Sequence, residues 1–222
     1  YRYEDNSLLS SIIKVIPDAP RTLLREHYRC HPKIIDFCNK KFYNDQLIVM
    51  TEDNGEKDVL RAYVTVKGNH ARGRYNQRQI DEIKNTIIPE LNSDDLGIFA
   101  PYNAQTSALT KDLANDMDIS TVHKFQGREK NDIIISTVDN EITTFTDDPN
   151  MLNVAVSRAK NRLRLVVSEN ESNEKTNIGD LLKYIRYNNF EVINSEVYSV
   201  FDMLYKGYEP VSYTHLTLPT IC

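Results

Sequence analysis

The stretch Ile133-Ile134-Ile135-Ser136-Thr137-Val138 decides the fold class of this chain. Its apolar run is nearly continuous, as is typical of a strand that is covered by helices on both faces. Similar short runs occur at Tyr63–Val66, Leu96–Ala100, Ile119–Val122 and Leu163–Val167. Segments with apolar residues at helical spacing separate these runs. Strands that alternate with helices predict an α/β fold with a mostly parallel sheet flanked by helices.

The composition of the 222 residues fits a globular protein. Apolar residues make up 40% and charged residues 27%, which excludes collagen-like and wholly disordered chains. The net charge of −5 means that a nucleic-acid site has to be a local basic patch. No run reaches the ~18 apolar residues of a membrane span, and three cysteines make no disulfide framework. We therefore expect a cytoplasmic, intracellular protein with no membrane partner.

Polar clusters follow several of the predicted strands, and parallel sheets place their ligands beyond the carboxyl ends of their strands. Arg29 and Arg158 offer planar guanidinium groups that suit phosphate oxygens. Gly127 lets backbone amides approach a phosphate closely, and Glu129 is suited to accept hydrogen bonds from ribose hydroxyls. Each feature is weak by itself, since most arginines are solvated or in structural ion pairs. The clusters are Tyr28–Pro32, Ala100–Gln105, Thr121–Glu129 and Asn153–Lys160.

Taken together and in order, these clusters resemble a known set of motifs. Tyr-Arg-x-His-Pro, Thr-Val-x-x-Phe-Gln-Gly-x-Glu and Asn-Val-Ala-x-Ser-Arg-Ala-Lys resemble motifs IV, V and VI of superfamily 1 helicases. The most similar branch is superfamily 1B, which contains the nonsense-mediated-decay RNA helicase and its DNA-acting relatives. The resemblance covers residues 22–168 and implies the C-terminal RecA-like domain of an ATP-dependent DNA or RNA helicase. His27, Cys30 and His123 depart from the residues usual in that branch.

The resemblance also implies roles for the matching residues. Arg29 would reach the γ-phosphate, and Arg158 would be the arginine finger, a group worth ~10³–10⁵ in rate in other nucleotidases. Tyr28 would stack on the adenine. The residues implied to bind the nucleotide are Tyr28, Gln126, Gly127 and Glu129. The residues implied to contact single-stranded DNA or RNA are Pro101, Tyr102, Gln105, Thr121 and His123.

Two parts of an ATPase site are missing from the sequence. It contains no Gly-x-x-x-x-Gly-Lys-Ser/Thr loop and no Asp-Glu pair after a strand. The resemblance implies that ATP and Mg²⁺ are held mainly by an upstream RecA-like domain of the same chain, so we expect no ATPase activity from this part alone. The acidic pairs Asp94-Asp95 and Asp147-Asp148 are expected to be solvated turns. Cys30, His31 and Cys38 fit no zinc spacing, and we predict no metal site.

The chain divides into four predicted segments. Residues 1–21 would be the end of the preceding motor domain or a linker, and residues 22–169 the second RecA-like domain. Residues 178–209 would form a small helical C-terminal extension, and 211–222 a non-native tail. Because the chain opens on Tyr, we expect a fragment of a longer protein. The basic run 67–78 fits a nucleic-acid track and a solvated loop equally well. The alternative function is a non-catalytic, helicase-like module that binds nucleic acid or regulates a partner.

Overall fold

The computed structural model describes residues 8–20, 22, 24–66, 71–72, 74–113, 117–125 and 128–189. A π-helical turn at Ile83–Ile87 joins two of the helices, and short 3₁₀ turns lie at Val122–Phe125 and Glu171–Lys175. In chain order the other elements are α1 (Leu8–Val15), β1 (Glu26–His27), α2 (Pro32–Phe42), β2 (Ile48–Val49), β3 (Leu60–Thr65), β4 (Ala71–Arg72), β5 (Tyr75–Asn76), α3 (Gln77–Glu82), α4 (Ile88–Leu91), β6 (Leu96–Ala100), α5 (Asn103–Asp112), β7 (Asp118–Thr121), β8 (Lys130–Ser136), α6 (Pro149–Val156), β9 (Ala159–Ser168) and α7 (Asn177–Asn188).

The central sheet has five parallel strands in the order β3-β9-β8-β6-β7. The isoleucine run Ile133–Ile135 lies in β8, the middle strand. Helices connect β3 to β6, β6 to β7 and β8 to β9, as parallel pairing requires, whereas residues 122–129, with the 3₁₀ turn Val122–Phe125, connect β7 to β8. The predicted α/β architecture, a mostly parallel sheet flanked by helices, is confirmed.

Alternate residues of the inner strands pack into two separate cores. Ile133 and Ile135 of β8 face one core together with α2, α6 and α7, whereas Ile134 faces the other core with α3, α4 and α5. All three side chains are at least nine-tenths buried. Burial of each such side chain stabilises the fold by ~1.5–3 kcal/mol. Both faces of the sheet are therefore covered, which explains why β8 has no alternation of apolar and polar residues.

Three elements differ from the predictions. The helix that begins after its N-cap Asn76 continues through Pro89 to Leu91, although the sequence predicts an end near Pro89. Proline lacks the amide hydrogen of a helix interior, and Pro89 directly follows the π-helical turn, in which the amide of Ile88 donates to the carbonyl oxygen of Ile83. The strands β8 and β9 begin several residues earlier than predicted.

The helix α7 belongs to the packed body of the protein. Its residues Ile178, Leu181 and Ile185 are buried in the same core as α2 and α6. A Cβ atom at Gly179 would lie 2.2 Å from the carbonyl oxygen of Asn173, so only glycine allows this close approach. The part of the predicted extension after residue 189 and the predicted tail lie outside the described residues, and the division into four segments stays a prediction. None of the helices in the described ranges has the length and the apolar character that a membrane span requires.

Candidate functional site

The predicted site residues divide between two opposite edges of the sheet. Pro101 and Thr121 stand at the carboxyl ends of β6 and β7, as expected. Glu129 and Arg158, in contrast, directly precede β8 and β9. The prediction that all clusters lie at the carboxyl ends is therefore wrong for these two residues. The reason is that residues 122–129 and the helix α6 lead the chain back across the sheet, so Glu129 and Arg158 stand where β8 and β9 begin, at the amino edge.

The amino edge carries a three-residue ion network. The Nε of Arg29 lies 2.6 Å from Oε2 of Glu129, and the Nζ of Lys160 lies 2.7 Å from Oε1 of the same carboxylate. The hydrogen bond from Lys160, followed by the charges of both cations, holds the pKa of Glu129 below its usual range. These residues line an open groove together with Glu26, His27 and Tyr28.

Arg158 lies beside this network. Burial is the first cause that lowers the pKa of its guanidinium group, and the positive charge of Arg29 is the second. An Nη1 atom of Arg29 also lies 3.4 Å from the carbonyl oxygen of Ser157, the residue before Arg158. The Nε of Arg158 is buried and has no hydrogen-bond partner among the described residues. The structure therefore brings the two predicted catalytic arginines to the same side of the sheet.

The loop that carries Arg29 is fixed by backbone contacts to its neighbours. The amide of His31 donates to the carbonyl oxygen of Lys160 over 2.7 Å, which ties this loop to the start of β9. The Nδ1 of His31 accepts a hydrogen bond from the amide of Lys33 and so caps α2, with Pro32 in the first turn. A side-chain oxygen or nitrogen at the N-cap satisfies one of the open amides of a helix.

His27 supports the same loop from the other side. Its Nε2 accepts a hydrogen bond from the amide of Cys30 over 3.0 Å, so the ring has to be unprotonated at this atom. Burial, and then the charge of Arg29, lowers the pKa of His27, and both effects favour the neutral ring. The thiol of Cys30 is buried, and its Sγ lies 3.2 Å from the carbonyl oxygen of Ser157.

Three residues of types that commonly ligate metals, His31, Asp53 and Glu56, lie close together next to the loop that carries Arg29. Nε2 of His31 lies 3.3 Å from a carboxylate oxygen of Glu56 and 3.5 Å from one of Asp53. The ammonium group of Lys33 lies 3.0 Å from the other oxygen of Asp53. Because a lysine already balances these carboxylates, we interpret the cluster as a structural tie between α2 and the loop at residues 53–56.

The remaining nucleotide-site predictions have different outcomes. Tyr28 is 65% exposed, and its hydroxyl donates to the carboxylate of Glu26. Its ring therefore has a free surface in the groove. Gln126 and Gly127 lie outside the described residues.

The carboxyl edge carries an aromatic pair. The ring of Tyr102 stacks on that of Phe145, with centroids 5.6 Å apart and planes 24° apart. The Tyr102 hydroxyl donates to Oδ2 of Asp139 over 2.9 Å, and the guanidinium carbon of Arg74 lies 5.7 Å from the ring centroid. Phe145 carries no signal of this role in the sequence, because it stands in a polar loop without periodicity.

Gln105 is a core residue rather than a surface one. It has no exposed surface, its Oε1 accepts from the amide of Asn76, and its Nε2 donates to the hydroxyl of Ser136. No part of Gln105 is left for a nucleic acid to contact, which corrects its predicted place at the single strand. Thr121 is only 9% exposed, and for His123 the backbone alone is described.

The acidic pairs are structural rather than simply solvated. Asp148 caps α6 by accepting a hydrogen bond from the amide of Met151. Asp147 accepts from the amide of Ile178 and so connects to α7. Asp95 forms an ion pair with Lys130 over 3.0 Å.

Comparisons with known proteins agree with this architecture. A family model described as an AAA domain matches residues 65–170. The chain is 27% identical over 81% of its length to an uncharacterized ATP-dependent helicase of Methanocaldococcus jannaschii, of which the match covers 31%. It is 28% identical over 73% of its length to the DNA polymerase alpha-associated DNA helicase A of Saccharomyces cerevisiae, covering 30% of that protein. It is 26% identical over 64% of its length to the regulator of nonsense transcripts 1 homolog of Neurospora crassa, covering 16% of it.

The chain carries a superfamily 1 helicase-like C-terminal domain. The superfamily expected from the three motifs is thereby confirmed. The chain spans less than a third of the length of each of these three relatives, so this superfamily 1 helicase-like domain corresponds to only part of such proteins.

Proposed function

We propose that this chain is the second motor domain of an ATP-dependent helicase or translocase. In this proposal its amino edge supplies Arg29 and Arg158 to the phosphates of an ATP that an upstream RecA-like domain holds with Mg²⁺. Its carboxyl edge grips single-stranded DNA or RNA. ATP hydrolysis would then drive the two domains along the strand.

The observation that carries the proposal is the convergence of two guanidinium groups. Arg29 is close enough to Arg158 to lower its pKa, and the charge of Glu129 acts on the same group in the opposite direction. Arg29 and Lys160 both form ion pairs with that carboxylate. Cations held this close repel one another unless an anion lies between them. A polyphosphate is an anion that suits such a set, because each guanidinium group donates two parallel hydrogen bonds to phosphate oxygens.

The hydrogen-bonding capacity of each arginine also fits a phosphate ligand. Arg29 uses its Nε for Glu129, which fixes the plane of its guanidinium group and leaves N–H donors on its outer nitrogens. The buried Nε of Arg158 has no partner among the described residues, so this guanidinium group keeps hydrogen-bonding capacity for a phosphate acceptor. When bound, ATP supplies the phosphoryl group, and the role of Arg158 is to stabilise the charge that develops on it.

The carboxyl edge supports the nucleic-acid part of the proposal. Pro101 and Tyr102 lie directly after β6, and Tyr102 is held by its hydrogen bond to Asp139. Single-strand contacts in motor proteins combine backbone contacts with stacking on aromatic rings. Such contacts tolerate any base, as a translocase requires.

The test uses the full-length protein that contains this chain. ATP turnover with and without single-stranded DNA or RNA is measured for the wild type, Arg158→Ala and Arg158→Lys. We expect the alanine variant to lose ~10³ or more in turnover and the lysine variant to recover little, because an ammonium group lacks the planar pair of donors. Arg186→Ala, on the surface of α7, is the control. A loss below tenfold in Arg158→Ala would favour the alternative, a non-catalytic helicase-like module.

A further inference from the structure

The aromatic pair at the carboxyl edge has an outer surface that no protein group covers completely. Phe145 is 49% exposed although its ring stacks on Tyr102. Half-exposed aromatic rings that are already held by a second ring are suited to stack on a further planar group. The loop that carries Phe145 lies between β8 and α6, at the same edge as Pro101 and Tyr102.

Hydrogen bonds hold this pair in place. The hydroxyl of Tyr102 donates to Asp139, whose Oδ2 also accepts from the hydroxyl of Thr143 over 3.2 Å. The hydroxyl of Thr146, next to Phe145, donates to the same oxygen over 2.5 Å. One carboxylate therefore joins the end of β6 to the Phe145 loop. A ring fixed in this way loses little conformational entropy when a ligand stacks on it.

A positive charge accompanies the rings. Arg74 is exposed, and its guanidinium carbon lies 5.7 Å from the centroid of Tyr102. It belongs to the basic run 67–78, for which the sequence left a nucleic-acid track and a solvated loop equally open. A planar apolar surface next to a guanidinium group matches an unpaired nucleobase with its neighbouring phosphate.

We propose that Phe145 and Arg74 form a base-stacking subsite for single-stranded nucleic acid. An unpaired base stacks on the exposed face of Phe145, Tyr102 backs the ring from within, and Arg74 contacts an adjacent phosphate. This proposal rests on the proposed function, because it assumes that the carboxyl edge faces the strand. It adds two residues to that interface, neither of which belongs to the three helicase motifs.

The test measures binding of oligonucleotides that contain 2-aminopurine to the full-length protein without nucleotide. Both a thymidine-rich DNA and a uridine-rich RNA carrier are used, since stacking reads neither the base nor the sugar. Phe145→Leu keeps the apolar volume but removes the ring, and we expect it to weaken binding roughly fivefold or more and to reduce 2-aminopurine quenching. Phe145→Tyr retains an aromatic ring and should keep the binding affinity and the 2-aminopurine quenching of the wild type. Arg74→Gln should lower the slope of log affinity against log salt by about 1.

Tyr187→Leu is the matched control, because Tyr187 is a comparably exposed aromatic residue on α7. If the wild type binds and Phe145→Leu binds equally well with unchanged quenching, the subsite proposal is wrong while the proposed function stands. If the wild type binds neither DNA nor RNA, the gripping role and the subsite fail together. If Arg158→Ala keeps its ATP turnover, the catalytic part of the proposed function is wrong, but the binding result for Phe145→Leu still decides the subsite proposal.

Discussion

Arg29 and Glu129 form an ion pair in which Nε and Oε2 lie 2.6 Å apart. The pair connects the loop after β1 to the residue before β8, and Lys160 at the start of β9 binds the other oxygen of the same carboxylate. Three separate parts of the chain therefore meet at one carboxylate. In the proposed motor this contact sets the direction in which the outer nitrogens of Arg29 point.

The first prediction concerns the strength of this pair. The two side chains are 36% and 40% exposed, so solvent screens the interaction, and Glu129→Gln should lower the free energy of unfolding by no more than ~1 kcal/mol at pH 7. The pKa of Glu129 is lowered in the folded protein. Its contribution is therefore present above the unfolded-state pKa and is lost as the pH falls through the folded-state pKa. Urea denaturation of the wild type and of Glu129→Gln from pH 7 to pH 4 measures this contribution as the difference between their free energies of unfolding. A difference that grows as the pH falls would contradict a lowered pKa of Glu129.

The second prediction concerns His27. Its pKa is lowered, so the unfolded chain takes up a proton at a higher pH than the folded protein. The stability that His27 contributes is present above the unfolded-state pKa of ~6.5 and is lost as the pH falls. His27→Gln retains an acceptor for the amide of Cys30 but does not titrate. We expect the free energy of unfolding to fall less steeply between pH 7 and pH 5 in the variant than in the wild type; equal slopes would show that His27 is not the titrating group.

The third prediction separates the two roles considered for Gln105. Gln105→Leu leaves the amide of Asn76 and the hydroxyl of Ser136 without this partner in the core, which should cost ~2–4 kcal/mol of unfolding free energy. Thr110→Ala, on the exposed side of α5, should change it by less than ~0.5 kcal/mol. Well below the thermal midpoint, Gln105→Leu should bind single-stranded DNA as the wild type does. Weaker binding of single-stranded DNA with an unchanged free energy of unfolding would show that Gln105 contacts the nucleic acid and is not a core residue.

The fourth prediction concerns the two buried thiols. Burial raises the pKa of Cys30 to about 12 and raises that of Cys38, so neither forms the reactive thiolate near neutral pH. In a Cys222→Ser background, Ellman's reagent at pH 8 should detect no thiol in the native protein and both thiols in denaturant. Rapid labelling of either cysteine in the native state would contradict their buried position.

The sheet was predictable because its strands differ in pattern from the helices between them. The apolar run of β8 is a local signal, and the buried strand that it predicts is confirmed. The edge on which Glu129 and Arg158 lie was not predictable, because it depends on where β8 and β9 begin. Polar residues at the start of a buried strand carry no apolar signal, so the predicted strands were too short at that end.

The position of single side chains depended on contacts between distant parts of the chain. Glutamine is a polar residue type that is common at protein surfaces. Gln105 is nevertheless buried, because its side chain bonds to Asn76 of β5 and Ser136 of β8. Phe145 lies in a loop whose sequence shows no period, and its stacking on Tyr102 follows from the fold alone. Sequence motifs therefore identified the superfamily, whereas the packing determined which of the candidate residues face solvent.

The most direct measurement for the central claim is a double-mutant cycle on ATP turnover in the full-length protein. Arg29→Ala, Arg158→Ala and the double variant are compared at saturating single-stranded nucleic acid, with Arg186→Ala as the control. If both guanidinium groups act on one triphosphate, each single variant loses ~10³ in kcat, and the double variant loses much less than the product of the two losses. Single variants that each keep more than a tenth of the wild-type kcat would contradict the account.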